Sequence, residues 1–222
     1  MEYNIIEEKF TGLWYRIRGN GNSEETALNK KGRQELNKLI TLYSESHRHY
    51  HNLNHIIECI KDFESTTYLA EHPNEVEMAI WYHDSIYSTQ FNPRNEEESA
   101  KFAYITAQSI NLPEAFANRV ENLILETKHN KSPKDIDSKV LVDIDLAILG
   151  KSEEEFNLYE ENIRKEYVWV PEETFKIKRA EILKEFLNRP SIYSTDFFKN
   201  KYESQARKNL ERSIKNLEQK EL

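Results

Sequence analysis

The sequence predicts an all-α protein of about nine to ten helices, and three observations favour this fold class. Apolar residues recur at three- and four-residue spacing along most of the 222 residues, while the alternation typical of strands is nearly absent. Glycine and proline, which interrupt helices, number only 5 and 6. Charged residues make up 32% of the chain and apolar residues 38%, a mixture typical of helices with charged outer faces. From this spacing we predict helices at 4–17, 24–44, 52–70, 74–87, 95–110, 113–128, 134–149, 152–168, 171–188 and 195–220.

Several predicted helices begin or end at residues that favour helix ends. Ser152 and Glu155 have the spacing of a capping box, in which each side chain binds the other residue's backbone amide. Asn95 and Glu98 have the same spacing. Gly150 follows the predicted helix 134–149, where we expect a residue in the left-handed conformation.

We expect the 222 residues to form a single all-α domain. The motifs described below lie within a core at about 36–150, and helices over 152–220 are expected to pack on it. No internal repeat or low-complexity linker divides the chain, and the loosest predicted loop is "RGNGNS" at 18–23.

The charge and cysteine content limit the classes of function. A net charge of −8 argues against general binding to nucleic acid or to anionic membranes. The single cysteine, Cys59, cannot form an internal disulfide. No stretch approaches the roughly 18 apolar residues of a membrane span, and the first residues do not resemble a signal peptide. We therefore expect a cytoplasmic protein that does not insert into a membrane, and a homodimer is left open.

Four of the seven histidines lie in the short stretch His47–His55. If a helix begins early enough, Arg48, His51 and His55 share the face opposite an apolar stripe of Leu53, Ile56, Ile57, Ile60 and Phe63. His51 and His55 form an HxxxH pair, which can chelate zinc. The metalloprotease version of this motif needs Glu where this chain has Asn52, so that activity is excluded. The alternative is that these histidines are exposed or cap a helix.

A second candidate site is the dipeptide His83–Asp84 in "EMAIWYHDSIY". The helical spacing places His83 on the inward face of an apolar helix. Burying an adjacent histidine and carboxylate is costly unless a partner compensates. A divalent cation would do so, because both groups are metal ligands. A hydrogen-bonded pair, or a surface aspartate beside a core histidine, is the alternative.

Two aspartates in "KVLVDIDLAILG" differ in their neighbours. The residues three and four positions from Asp145 are all aliphatic, so an unpaired carboxylate there is unfavourable and Asp145 needs a partner such as a metal. Asp143 has Lys139 among its neighbours. We therefore interpret Asp143 as a salt-bridged surface residue.

The stretch "NEEESA" provides a further inward-facing carboxylate. Glu96 shares a helical stripe with Ala100, Ala103 and Ala107, which leaves room for water or a ligand, so Glu96 is a candidate general base. The alternative is that Glu96 is an acidic residue at a helix start that only serves the helix dipole. Glu97 is expected to pair with Lys101 on the solvent face. Lys128 and His129 end another predicted helix, where basic groups also serve the helix dipole.

These motifs, taken in order, resemble the HD-domain superfamily of metal-dependent phosphohydrolases. "RHYHNLNHI", "AIWYHDSIY", "NEEESA" and "DIDLAILG" are similar to the subgroup described as predicted metal-dependent HD-superfamily phosphohydrolases. The resemblance implies an HD-like helical bundle in which His51 is the first metal ligand, His83 and Asp84 form the HD pair, and Asp145 is the distal ligand. Binuclear members carry two more histidines between the HD pair and the distal aspartate, whereas this chain has only His129 in that interval, which favours one metal ion.

The implied activity is hydrolysis of a small phosphorylated metabolite or nucleotide by a metal-activated water. The implied cofactor is one divalent ion, and nitrogen and oxygen ligands suit Mn, Mg, Fe, Zn, Co or Ni. Glu96 would accept the proton of the water, and Arg48 would act as a catalytic residue that binds the phosphate. His55, Lys128 and His129 would contact the substrate. The alternative is a helical protein whose metal is structural or whose pocket only binds a ligand.

Overall fold

The computed structural model describes residues 2–18, 25–90 and 94–219. Within these ranges the regular secondary structure consists of helices alone, joined by turns and loops. The predicted all-α fold class is therefore confirmed. Ten α-helices lie within the described residues: α1 (Glu2–Arg18), α2 (Glu25–Tyr43), α3 (Leu53–Thr66), α4 (Pro73–Tyr82), α5 (Asn95–Ser109), α6 (Glu114–Glu126), α7 (Ile136–Asp145), α8 (Glu153–Glu166), α9 (Glu172–Leu187) and α10 (Asp196–Glu218). Short 3-10 helices cover Thr67–Leu69 and Leu146–Gly150. The predicted loop at 18–23 lies outside the described residues from residue 19 onward.

Most predicted boundaries agree with the structure to within two residues, but three helices end at least four residues earlier than expected. Helix α3 ends at Thr66, against a predicted end at 70, and continues as the 3-10 helix Thr67–Leu69. Helix α4 ends at Tyr82, five residues before the predicted end at 87. Helix α7 ends at Asp145 and continues as a 3-10 helix. The chain therefore changes conformation at His83 and at Asp145, two of the predicted metal ligands.

Two of the three predicted end signals differ from the structure. Ser152 and Glu155 do form a capping box. The Asn95–Glu98 capping box is wrong, because Asn95 is already the first helical residue and its side chain binds the backbone of Ser88 instead.

The chain divides into two compact units, with the boundary inside α7. The first unit is Met1–Leu141, and α4 lies at its centre, in contact with α1, α3, α5 and α6. Every residue of α4 from Glu75 to Tyr82 is buried, which explains why its sequence is apolar on almost all sides. This packing fixes the C-terminal end of α4, where His83 follows. The expectation of one domain over 1–222 stays a prediction.

The second unit is Val142–Leu222, in which α10 packs against α9 and the 3-10 helix Leu146–Gly150. Gly150 does not adopt the predicted left-handed conformation. A glycine is needed there for a different reason: an added Cβ would lie 2.4 Å from the Cβ of Tyr202 on α10. Asn209 on α10 donates to the carbonyl oxygens of Leu149 (2.9 Å) and Lys151 (3.0 Å), which holds this close contact in place.

No helix among the described residues is both long and apolar enough to cross a membrane.

Candidate metal centre

The histidine-rich stretch leads into α3 but is not part of it. Asn52 caps α3, its side-chain oxygen accepting a hydrogen bond from the backbone amide of Asn54 (2.9 Å). Arg48 and His51 therefore precede the helix, and the prediction that they share a helical face with His55 is wrong. His55 lies within α3 and is only 6% exposed.

The His83–Asp84 pair lies directly after α4. His83 is the C-cap residue, its backbone amide bonds the carbonyl oxygen of Ala79 (2.9 Å), and its side chain is 2% exposed, as the apolar helix predicts. Asp84 is outside the helix, with 17% of its side chain exposed. The end of α4 thus places a buried imidazole beside a carboxylate that reaches solvent.

His55, His83 and Asp84 bring three potential ligand atoms together in the first unit. The Nε2 atoms of His55 and His83 lie 3.1 Å apart. The Oδ2 atom of Asp84 lies 3.0 Å from His83 Nε2 and 3.5 Å from His55 Nε2. Metal–ligand bonds of about 2.0–2.2 Å separate neighbouring ligand atoms by roughly 2.8–3.6 Å in octahedral and tetrahedral sites. The three separations fall in this interval, so the residues fit a divalent metal ion.

The hydrogen bonds of His83 also favour a cation at this position. His83 Nδ1 lies 2.9 Å from the carbonyl oxygen of Ile80, which can only accept, so Nδ1 carries the hydrogen. In a neutral ring, Nε2 then presents a lone pair to the carboxylate of Asp84. A proton on Nε2 would have to be shared between Asp84 and His55, whereas a metal ion satisfies all three atoms. Metal-ligating histidines typically donate their other ring N–H in this way.

The surrounding imidazoles keep Asp84 ionised. Burial acts to raise the pKa of Asp84, but the imidazoles of His83, His51 and His55, in their protonated and positively charged form, outweigh it and hold the pKa well below its usual range. His51 is therefore close to the cluster, and its ring also stacks on Tyr87 with 4.3 Å between centroids. The cluster can supply the deprotonated carboxylate that metal binding requires.

The structure groups His55 with the His83–Asp84 pair, whereas the sequence prediction assigned His51 as the ligand. His55, predicted to contact the substrate, is the histidine whose Nε2 faces His83 and Asp84. Among the described residues, the ligand atoms of His55, His83 and Asp84 lie within 4.8 Å of one another, and His51 is not part of that group. The assignment of His51 as a ligand stays a prediction, and the geometry adds His55. The thiol of Cys59, one turn later, lies 3.7 Å from the ring nitrogens of His55.

Arg48 does not have the position expected of a residue that binds phosphate. Its side chain is fully buried, with 0% exposure, and its guanidinium binds Glu45 and backbone carbonyl oxygens. The geometry does not support the predicted catalytic and substrate-binding contact. It favours a positioning role instead.

The first turn of α5 is joined to the segment that follows Asp84. Asn95 exchanges two hydrogen bonds with the backbone of Ser88, each 3.1 Å long. The hydroxyl of Ser99 binds the amide (3.0 Å) and the carbonyl oxygen (3.2 Å) of Ile86. Glu96 lies between Asn95 and Ser99 on this turn and is half-buried. The assignment of Glu96 as a general base stays a prediction.

Lys128 and His129 follow the end of α6. Lys128 forms an ion pair with Glu97, so the predicted Glu97–Lys101 pair is replaced by a contact between α5 and the segment that follows α6. The ammonium of Lys128 lowers the pKa of Glu97. His129 has a positive φ of 54° and is half-buried. The pairing favours a role for Lys128 in joining α5 to the end of α6, and substrate contact by either residue stays a prediction.

The burial of the two aspartates of α7 is the reverse of the expected one, because Asp143 lies deeper than Asp145. Asp143 is fully buried, so its interpretation as a salt-bridged surface residue is wrong. Its carboxylate accepts from the amides of Ser194 and Thr195 (both 2.7 Å) and from the hydroxyl of Thr195 (2.8 Å). Burial raises the pKa of Asp143 to about 6, against the lowering effect of these hydrogen bonds. Asp145 is half-buried, and within the second unit its charge contributes to the raised pKa of Tyr159, which burial causes first. Its assignment as the distal ligand stays a prediction.

Comparison of the chain with models of protein families, with curated proteins and with solved structures gives no match. The resemblance to the HD-domain superfamily therefore stays an interpretation of the four motifs.

Proposed function

We propose that the protein is a metal-dependent phosphohydrolase that acts on a small phosphorylated metabolite or nucleotide. The observation that carries the proposal is the convergence of His55 Nε2, His83 Nε2 and Asp84 Oδ2, with separations of 3.0 to 3.5 Å. Two imidazoles and one carboxylate form the donor set of many hydrolytic metal sites, in which positions are left for water and substrate.

A divalent ion bound there would acidify a water and polarise a phosphoryl oxygen. His83 is oriented for this task by its Nδ1–H, which is fixed on Ile80. Asp84 reaches solvent with 17% of its side chain, so one of the three candidate ligands is accessible to water. Glu96 would accept a proton on the turn that is anchored to Ile86 and Ser88.

The alternative is a metal that only stabilises the fold. A structural site is typically closed by four protein ligands, whereas a catalytic site keeps a position for water. The partial exposure of Asp84 favours the catalytic assignment.

The test is phosphate release by the full chain after removal of bound metal with a chelator. Mn²⁺, Mg²⁺, Co²⁺, Ni²⁺, Fe²⁺ and Zn²⁺ would be added back singly, against a panel of sugar phosphates, nucleotides and phosphodiesters. We expect hydrolysis with at least one ion and none without metal. No hydrolysis across the panel by a protein that binds metal would support the structural alternative.

His83→Gln and His72→Gln provide a matched pair of variants. Both histidines lie beside an aspartate, but Asp137 already accepts from the backbone amides of Glu71 and His72 as well as from the His72 ring (2.8 Å). We expect His83→Gln to abolish hydrolysis and His72→Gln to retain it.

A further inference from the structure

The enclosed side chain of Arg48 joins the two segments that carry the candidate metal ligands. Nη1 donates to the carbonyl oxygens of His51 (3.1 Å) and Asp84 (2.6 Å). Nη2 donates to the carbonyl oxygen of Ser85 (2.9 Å), and Nε donates to the carboxylate of Glu45 (2.9 Å). One guanidinium therefore holds the turn before α3 against the turn after α4.

Two tyrosine rings enclose the same guanidinium. Its central carbon lies 5.2 Å from the ring centroid of Tyr43 and 5.4 Å from that of Tyr87. Tyr87 also stacks on His51, and its carbonyl oxygen lies 3.0 Å from Nε2 of His47. Movement of Arg48 would therefore disturb both the backbone and the ring packing on this side of the cluster.

An arginine is required by the geometry of these contacts. The carbonyl oxygens of Asp84 and Ser85 follow the C-terminal end of α4, where the backbone presents unpaired acceptors and a partial negative charge. A planar guanidinium can bind these oxygens, that of His51 and a carboxylate together, whereas a lysine ammonium presents its three donors from one point.

We propose that Arg48 is a positioning residue that sets the distance between the His55 side and the His83–Asp84 side of the metal centre. The proposal rests on the proposed metal site, and it replaces contact with substrate as the role of Arg48. Because Arg48 acts through backbone atoms behind the ligands, its loss should lower metal affinity by about 10–100-fold, as for other residues that orient ligands from outside the coordination sphere.

The experiment measures Co²⁺ binding to the full chain by calorimetry, together with the visible absorption spectrum of the bound ion. The Co²⁺ spectrum reports coordination geometry, which a purely structural arginine would not change. We expect Arg48→Lys to bind Co²⁺ at least about tenfold more weakly and with an altered spectrum, at a temperature where circular dichroism shows it folded.

Arg164→Lys is the matched control. Arg164 also donates from Nη1 and Nη2 to backbone carbonyl oxygens, of Tyr167 (2.6 Å) and Val170 (3.0 Å), and from Nε to Glu172 (2.9 Å). Its guanidinium lies over the ring of Phe175 at 4.6 Å. None of these partners is a candidate metal ligand, so we expect Arg164→Lys to lower stability without changing Co²⁺ affinity or the spectrum.

The outcomes separate the inference from the proposed function. If the parent binds Co²⁺ and Arg48→Lys binds it equally well with the same spectrum, Arg48 is not a positioning residue and the metal site stands. If the parent binds no metal, both proposals fail. Should Arg48→Lys not fold, Glu45→Gln decides, since it removes the half-exposed carboxylate on Nε: a measurable loss of affinity supports the inference, and an unchanged spectrum and affinity overturns it.

Discussion

Two aspartates near helix ends, Asp84 in the first unit and Asp143 in the second, show how similar side chains acquire different roles. Asp143 accepts three hydrogen bonds, from two amides and a hydroxyl, and is completely buried. Asp84 faces ring nitrogens of His83 and His55, and the hydrogen on His83 is committed elsewhere. Burial alone therefore does not distinguish a candidate metal ligand; the groups that surround the carboxylate do.

The pKa values of the two carboxyl groups follow from the same difference. Burial raises the pKa of Asp143 to about 6, and the hydrogen bonds only reduce that rise. The imidazoles outweigh burial at Asp84 and lower its pKa. A carboxylate that attracts positive charge in this way is suited to a cation.

The largest expected effect is loss of metal from Asp84→Ala. Removing the carboxylate leaves two imidazoles, and we expect metal affinity to fall by more than about 100-fold, beyond the effect of residues outside the coordination sphere. Elemental analysis after dialysis and calorimetry with Mn²⁺ would measure it. The metal-free variant should melt within about 5 °C of the metal-free parent, because the backbone carbonyl oxygen of Asp84, which accepts from Arg48, is kept. A variant as metal-loaded as the parent would remove Asp84 from the site.

Glu96→Gln is expected to reduce turnover by about 10²–10⁴-fold while metal stays bound, since the amide cannot accept a proton. Glu98→Gln is the control from the same turn, because Glu98 pairs with the exposed Arg94 (3.2 Å). Initial rates with the best substrate from the phosphoester panel would be measured for both. Equal turnover in Glu96→Gln and the parent would show that the proton goes to another group or to solvent.

Asp143→Ala should destabilise the second unit without affecting the metal site. It leaves the amides of Ser194 and Thr195 without their acceptor at the start of α10, and we expect a loss of about 2–3 kcal/mol in the free energy of unfolding. Urea unfolding followed by circular dichroism would measure it, with Mn²⁺ affinity as the second readout. Asp145→Asn, two residues later, is predicted from the sequence to lower Mn²⁺ affinity. The reverse pattern would make Asp143 the ligand.

The helices were predictable because their signals are local. Apolar spacing and the Ser152–Glu155 capping box depend on neighbouring residues alone, so the bounds of α8 and most other helices agree to within a few residues. The end of α4 was missed because it depends on a residue far away in the sequence: Arg48 binds the carbonyl oxygens of Asp84 and Ser85. Nothing in the apolar spacing of 74–87 indicates that contact.

The candidate site was predictable in its residue types but not in its distances. The HxxxH spacing of His51 and His55 indicates that the pair can bind a metal, but only the position of Asn52 as N-cap decides which of the two lies inside α3. The burial of Asp143 could not be read from Lys139, because its partners come from residues 194 and 195, about fifty positions away.

The smallest expected effect is that of Lys128→Gln, which tests whether Lys128 has a purely structural role, as Asp143 has, or takes part in the proposed site, as Asp84 does. Lys128 is paired with Glu97, and exposed ion pairs contribute little to stability. If its role is to join α5 to the end of α6, KM for the phosphorylated substrate should change by less than about threefold, and Glu97→Gln should behave the same way.

If Lys128 binds phosphate, as the sequence suggested, Lys128→Gln should raise KM while kcat is retained. Glu97→Gln should then lower KM, because it releases the ammonium from its partner. Steady-state kinetics of the two single variants and the double variant separate these outcomes, since a salt bridge alone predicts no opposite shifts in KM.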